Sequence, residues 1–598
     1  MCIRFRSLFF SLGLLAFLAQ LSPAQNNSDR IKAIQANLNK AKQAYEQLPD
    51  QVKKTARAQR RLAHLADAVN RMAGRLGKMA PGQPWSDDRT LSDAADENGL
   101  VRVNNPARDF RFSQFLGYTQ SSTAIARCGD SVVVGFNDSG SIVESLANGP
   151  AGISFSGVAA SHDGGESFRD LGFMPPGGNG SSIFNADILL GDPSVACSDA
   201  NNFYYVQNYF PFEPSVGGFG DLLPSIGISA SHDGGRSWSD PVAVVSAATF
   251  ADLFGGPQVA VDPSNTKRVH VGYLHDNTAD PICGIVSTIE VVTSTDGGQT
   301  FGAPAILDRV CWFDNLILDM DPRLAVSSKG KVFAVWENGF AIPGAIPFLP
   351  QSIEVASFTP GSNPAPPVVV GNVSCTEFDP PACTSPVTAG SEILAPIFGD
   401  TTDLQGGFLD IRGFDLAVDR SGGPSDGTVY VVWDAALGNA QAPEFFDISF
   451  DHFGFYAFTD IFFSRSADGQ NFSAPAQLNS DLQPLNVRGH DHFQPTLAVD
   501  RSGKVAACWY DRRNDPENYQ FERFCAESLN SGSNWFEFRV NGSLSTPSRG
   551  QDLVLAPDDM GAYDGLATDF TGNHQGFIGS FQWMSSGMNP DVKAVRFR

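Results

Sequence analysis

The stretch SHDGGESF at residues 161–168 returns as SHDGGRSW at 231–238, as STDGGQTF at 294–301 and, one residue shorter, as SADGQNF at 466–472. A worn copy, SLNSGSNW, occupies 528–535. Each copy sets a hydroxyl, an acid or amide, glycine and an aromatic ring in the same order. An aspartate so placed accepts hydrogen bonds from the N–H groups that follow and holds a tight turn. Glycine supplies a backbone conformation that other residues resist. The ring is positioned to pack between layers. A turn rebuilt at wide intervals implies that the elements it joins are rebuilt too.

The flanking sequence repeats in step. Valine-rich runs with a period of two precede each turn: SVVVGFND (131–138), FYYVQN (203–208), RVHVGYLHD (268–276), KVFAVWEN (331–338), TVYVVWDA (428–435), KVAACWYDRR (504–513) and GFIGSFQW (576–583). Most follow a second signature, such as DPSVACSD (192–199), DPRLAVSSKG (321–330), FDLAVDRSG (414–422) and QPTLAVDRSG (494–503). Each pair reads as strand, turn, strand. Third strands follow, for example SIGISAS (225–231) and DIFFSRS (460–466), then the repeated turn and a fourth strand. Seven copies of a four-stranded antiparallel unit predict a seven-bladed β-propeller, with six blades as the alternative. The last copy supplies only three strands. The spacing predicts that Leu100 to Val103 provides its outer strand and closes the ring.

The turn resembles the Asp-box, or BNR repeat, of the sialidase-like propellers. Asp163, Asp233, Asp296 and Asp468 hold the acid position. Turn chemistry accounts for these aspartates without a catalytic role. The resemblance spans about residues 120–598. It implies a propeller and leaves activity open, because function resides in sites grafted on folds.

Topology separates two rims. Turns between first and second strands, and the repeated turns, emerge on one rim; second-to-third and blade-to-blade loops emerge on the other. The second rim carries long loops rich in Phe, Pro and Gly at 209–224, 339–351 and 436–459, where a rigid ring would present a binding surface. Polar residues at the starts of first strands there, Asp192, Asp321, Asp415 and Asp564 with Tyr563, are placed to ring the axis. They either cap strands and join blades or form a polar mouth, and clustered carboxylates are compatible with a calcium ion. No cofactor is required by any motif.

Blade six is densest in chemistry. RGHDHFQP (488–495) enters it and WYDRRNDPEN (509–518) leaves its second strand. His490, Asp491, His492, Tyr510, Asp511, Arg512 and Arg513 are expected to converge. Arginine–carboxylate groupings suit acidic sugars, and equally suit a loop braced by ion pairs. The family resemblance implies, for a sialidase, three arginines on the substrate carboxylate, a tyrosine nucleophile and an aspartate acid/base. The nearest choices are Arg323, Arg412 and Arg512 or Arg513, with Tyr510 or Tyr563 as nucleophile. FRFSQF (110–115) departs from the family's first-arginine stretch, so the chain does not match that pattern position by position. Two readings stand: an exported propeller binding glycan or protein through its long-loop face, and a secreted glycoside hydrolase of the exo-α-sialidase type. A third is a surface protein assembled through its N-terminal segment.

That segment has its own character. Residues 1–24 read as an export signal, with Arg4 and Arg6 before an apolar run and Ser22-Pro23-Ala24 at its end. Residues 25–80 show helical periodicity broken at Leu48-Pro49-Asp50, predicting a helical hairpin or coiled-coil arm able to form homo-oligomers. Residues 81–100 read as a linker and 101–598 as the propeller. The chain's net charge is −24, and residues 81–598 alone carry −34, which argues against nucleic acid as a partner. No transmembrane anchor is expected once the signal is removed, and the product is expected to be secreted or periplasmic. Eight cysteines remain after cleavage, an even count suited to disulfides in an oxidising compartment. The repeat alignment pairs Cys128 with Cys197, Cys283 with Cys311, Cys375 with Cys383 and Cys508 with Cys525, although spacing alone leaves other connectivities open.

Overall fold

The computed structural model describes residues 99–598 apart from several segments, the longest being 142–151, 178–186, 341–351, 373–401, 437–445, 482–489 and 546–560. The signal, the helical arm and the linker up to residue 98 lie outside the described residues, as does the Cys375–Cys383 pairing.

The described chain is a seven-bladed propeller of four-stranded antiparallel blades. The first strands, from the axis outward in each blade, are Gln120–Cys128, Ser194–Cys197, Asp252–Val261, Arg323–Val326, Phe414–Val418, His492–Val499 and Gly565–Thr568. Each lies against the first strand of the next blade, and the seventh lies against the first, so the ring is closed. Closure depends on the expected strand: Val101–Arg102 pairs antiparallel with Ala594 and Lys593 at the outer edge of blade seven. The blade therefore takes three strands from residues 565–597 and one from residues 101–102.

The valine-rich second strands are fully buried because both faces of a blade are covered by neighbours. Between blades four and five, Phe333, Val335, Val355, Leu416, Val431 and Trp433 form one apolar layer; between five and six, Tyr430, Val432, Phe463, Leu497 and Trp509 form the next. Alternate residues of one strand thus serve two different interfaces.

The repeated turn locks each blade to the blade before it. Asp163 Oδ1 accepts from the N–H groups of Glu166 and Ser167 at 2.9 and 3.0 Å, while the Ser167 hydroxyl donates to Oδ2 at 2.6 Å. Asp233 repeats the pattern with Arg236 and Ser237. Burial opposes its charge, but hydrogen bonds from Ser237 and Ser231 outweigh that and hold Asp233 down at about 2. Gly235 has φ +87°, and a Cβ there would lie 2.4 Å from Val133 of blade one. The same glycine of the first turn, Gly165, fits against Ile578 of blade seven. Aromatic residues finish the joint: Phe168 is fully buried, and Trp238 meets Tyr205 edge-on at 5.8 Å. The turns share a rim with the first-to-second turns, to which they bond directly: Gly164 N–H donates to Asp130 O, Gly234 to Asn201 O and Gly297 to Lys267 O.

Three of the expected disulfides form. Cys128–Cys197 ties blade one to blade two, whereas Cys283–Cys311 and Cys508–Cys525 each form a link within one blade. No helix among the described residues is long and apolar enough to cross a membrane.

Candidate functional site

On the rim opposite the repeated turns, residues at the starts of the first strands meet around the axis. Tyr563, from blade seven, donates its hydroxyl to the carbonyl of Pro193 in blade two at 2.6 Å. Arg323, from blade four, stacks its guanidinium over the Tyr563 ring at 4.0 Å. Side chains from two blades and a backbone carbonyl from a third therefore meet across the axis. Arg323 is 8% exposed, and its Nε is buried without a hydrogen-bond partner. Among the described residues it forms no ion pair. Asp415 stands close enough to feel its charge. Burial pushes this carboxyl up to about 6, against the opposing pull of Arg323.

Most polar residues of this ring are also joints. Asp415 Oδ2 accepts from Leu497 N in the next blade at 2.7 Å, and Oδ1 from Leu416 N at 2.8 Å. Asp564 accepts from Arg523 at 2.9 Å and from the Thr123 hydroxyl of blade one at 3.4 Å. Gln494, at φ +50°, receives Asp434 on its backbone N–H at 2.9 Å and donates its amide to Gly561 O. Asp192, half-buried, accepts from Asn208 Nδ2 at 3.1 Å. Arg412 and Asp321 lie outside the described residues.

The blade-six residues converge, but inside the wall between blades five and six. Arg512 and Asp491 are both 0% exposed and form an ion pair at 2.9 Å. His492, also 0% exposed, lies between Asp481 at 3.0 Å, Asp511 at 3.4 Å and Asp460 at 3.5 Å. Burial alone would strip its proton; the carboxylates of Asp511, Asp481 and Asp460 reverse this and raise the imidazole to about 10. Asp511 additionally accepts from Trp509 Nε1 at 2.8 Å and from Arg513 Nε at 2.9 Å. Arg513 extends outward to Asp481 at 3.3 Å and to Glu537, keeping 15% exposure. His490 is half-buried beside this network, and burial lowers its pKa.

Tyr510 belongs to a separate joint. It is 0% exposed, donates to Gln582 O at 3.1 Å, accepts from Gln582 N at 3.0 Å, and lies under Arg523 at 4.5 Å. Burial, with Asp564 next, lifts its hydroxyl well above the usual range. In this arrangement Tyr510 joins blade six to blade seven. The geometry thus gathers Arg323, Asp415 and Tyr563 at the axis, gathers Asp491, His492, Asp511, Arg512 and Arg513 in a wall, and sets Tyr510 in a buried joint beside Arg523 and Asp564.

Sequence reasoning did not single out Asp460, Asp481, Arg523 and Arg420. Charges interrupting otherwise apolar strands, as in TDIFFS (459–464) and FERFC (521–525), are the signal that marks buried pairs at the first and third of these positions. Among the described residues, no group of three or more His, Cys, Asp or Glu is arranged to hold a metal ion.

No family model matches the chain. No curated protein matches it either. Among solved structures it is similar to an α-L-arabinanase of Penicillium chrysogenum, at 9% identity over 83% of this chain and 97% of that one, with a TM-score of 0.39. An ulvan lyase of a new polysaccharide lyase family shares 11% identity over 84% and 95%, with a TM-score of 0.43. A Hadza microbial sialidase shares 12% over 75% of each chain, with a TM-score of 0.36. Likenesses at this level carry nothing about chemistry.

Proposed function

We propose that the protein is an exported propeller that binds an acidic glycan on its long-loop face, with Arg323 as the anchor for the acid group. One observation carries this reading: the Arg323 guanidinium is nearly closed off from water, stacks on Tyr563 at the axis, and among the described residues has no anionic partner bonded to it. A cation removed from water is costly unless compensated. A carboxylate or sulfate can compensate it through paired hydrogen bonds. The strongly acidic propeller disfavours a long polyanion, so a single terminal acid group fits better than a continuous charged chain. Three disulfides accord with an oxidising compartment outside the cytoplasm.

The test is an array of neutral, carboxylated and sulfated glycans, followed by calorimetry on the best ligand. Retention of acidic glycans, weakened about tenfold or more in Arg323→Gln, supports the reading. Retention of neutral glycans alone, of protein ligands alone, or an unchanged affinity in the variant refutes it.

Asp415 favours a second reading, the exo-α-sialidase type of glycoside hydrolase. Its carboxyl, pushed up to about 6 by burial against the pull of Arg323, lies in the range useful to an acid catalyst. Release of 4-methylumbelliferone from its sialoside, abolished in Asp415→Asn, would establish turnover. Binding without release would set this reading aside.

A further inference from the structure

Below the axial mouth, the bore of the ring holds a cavity of about 400 Å³. All seven first strands line it, and each contributes an alanine, Ala196, Ala325 and Ala498 among them, so every blade brings a small residue to the wall. Valines and leucines complete an apolar wall. Tyr563 and Pro193 cross the axis on the long-loop side. On the other side Pro263 and Thr266 are exposed at the edge of the cavity, which opens there, on the rim of the repeated turns.

Arg420 borders this opening. It follows Asp419 in the first-to-second turn of blade five, and it stacks on Phe570 from the matching turn of blade seven at 3.9 Å. Among the described residues its guanidinium makes no hydrogen bond and no ion pair. Burial lowers it to about 10, with no neighbouring carboxylate acting on it, so it stays a cation at neutral pH. Arg127, the other arginine in the lining, differs: Asp569 and Asp130 both act on it, and its Nε donates to Gly129 O at 3.2 Å. The opening therefore pairs an uncompensated cation with an apolar bore whose size falls within the range of small-molecule sites.

We propose that this bore is a second binding site, for a small monocarboxylate with an aliphatic or aromatic body. The carboxylate accepts from the Arg420 guanidinium at the rim, and the apolar body lies along the alanine-lined axis. The Phe570 face keeps the guanidinium plane fixed and leaves its edge for bidentate contact. The site is separate from Arg323, which belongs to the opposite rim.

Calorimetric titration of the full chain with hexanoate tests the proposal. Saturable one-to-one binding is expected. Hexanol and hexylamine should give none, because they lack the anion. Arg420→Gln should weaken hexanoate by about tenfold or more, and Ala325→Leu, which fills the bore, should remove binding. Circular dichroism checks that both variants fold. Arg323→Gln should leave hexanoate affinity unchanged, so this proposal and the glycan reading fail separately. Absence of saturable heat for the unmodified protein, equal binding of hexanol, or full affinity in folded Arg420→Gln would each overturn it. Should Arg420→Gln not fold, hexanoate competition by benzoate in the unmodified protein, absent for benzyl alcohol, decides the matter in the same way.

Discussion

Arg512→Met separates a brace from a catalytic group. Arg512 and Asp491 are wholly buried partners at 2.9 Å in the wall between blades five and six. Removing the cation leaves the Asp491 carboxylate in a region closed to water, a change that costs about 3–5 kcal/mol. Unfolding entropy is about 2.1 cal/mol/K per residue, so a ring of roughly 500 residues has an entropy near 1 kcal/mol/K at its midpoint. The variant should therefore melt about 3–5 °C lower, measured by differential scanning calorimetry. The double variant Arg512→Met with Asp491→Asn should recover most of that loss. The carboxylate is then gone, while the asparagine change keeps an acceptor for the Thr459 N–H. Glycan binding at 25 °C should be unaffected in both proteins. A single variant that melts within 1 °C of the parent, or a double variant that melts at the sum of the two single losses, would refute the assignment of this pair as a brace.

Three further outcomes are expected. Gly235→Ala should destabilise by about 1–3 kcal/mol, since the residue sits at φ +87° and a Cβ would meet Val133; denaturant titration reads the loss. The His492 imidazole is raised to about 10 in the fold, so its contribution to stability is complete below its unfolded value near 6.5 and is lost as pH rises towards 10; His492→Gln should flatten that alkaline slope in pH-resolved melting. Asp233 is held at about 2, so its contribution is present above about 4 and is lost as pH falls through 2, and Asp233→Asn should lessen acid sensitivity in the same measurement.

Much of the architecture was legible because it rests on periodicity. Strand alternation and the recurrent turn both repeat, and repetition exposes the blade as the unit. Even the ring-closing strand could be read, since blade seven lacked one and Leu100 to Val103 was free to supply it. The site was less legible because burial depends on where a side chain leaves the strand. Tyr510, Asp511, Arg512 and Arg513 are adjacent in sequence, yet Tyr510 joins blade seven, Arg512 faces Asp491, and only Arg513 keeps contact with solvent. Arg420 and Arg501 share the same DRSG sequence, yet one borders the bore while the other is exposed. Identical local signals gave no indication which turn leans inward, because its partner, Phe570, belongs to a different blade.

The closing strand bears on the order of assembly. Val101 and Arg102 are among the first propeller residues to leave the ribosome, and their partners Ala594 and Lys593 are among the last. A chain synthesised from its N-terminus cannot complete the circle until residues 593 and 594 have been made. Until then blade seven is missing, and the apolar sides of blades one and six stay uncovered. Such a nascent chain would need a holding chaperone to keep those sides from aggregating. A product ending before Pro590 would be left with an unsealed gap rather than a slightly smaller ring.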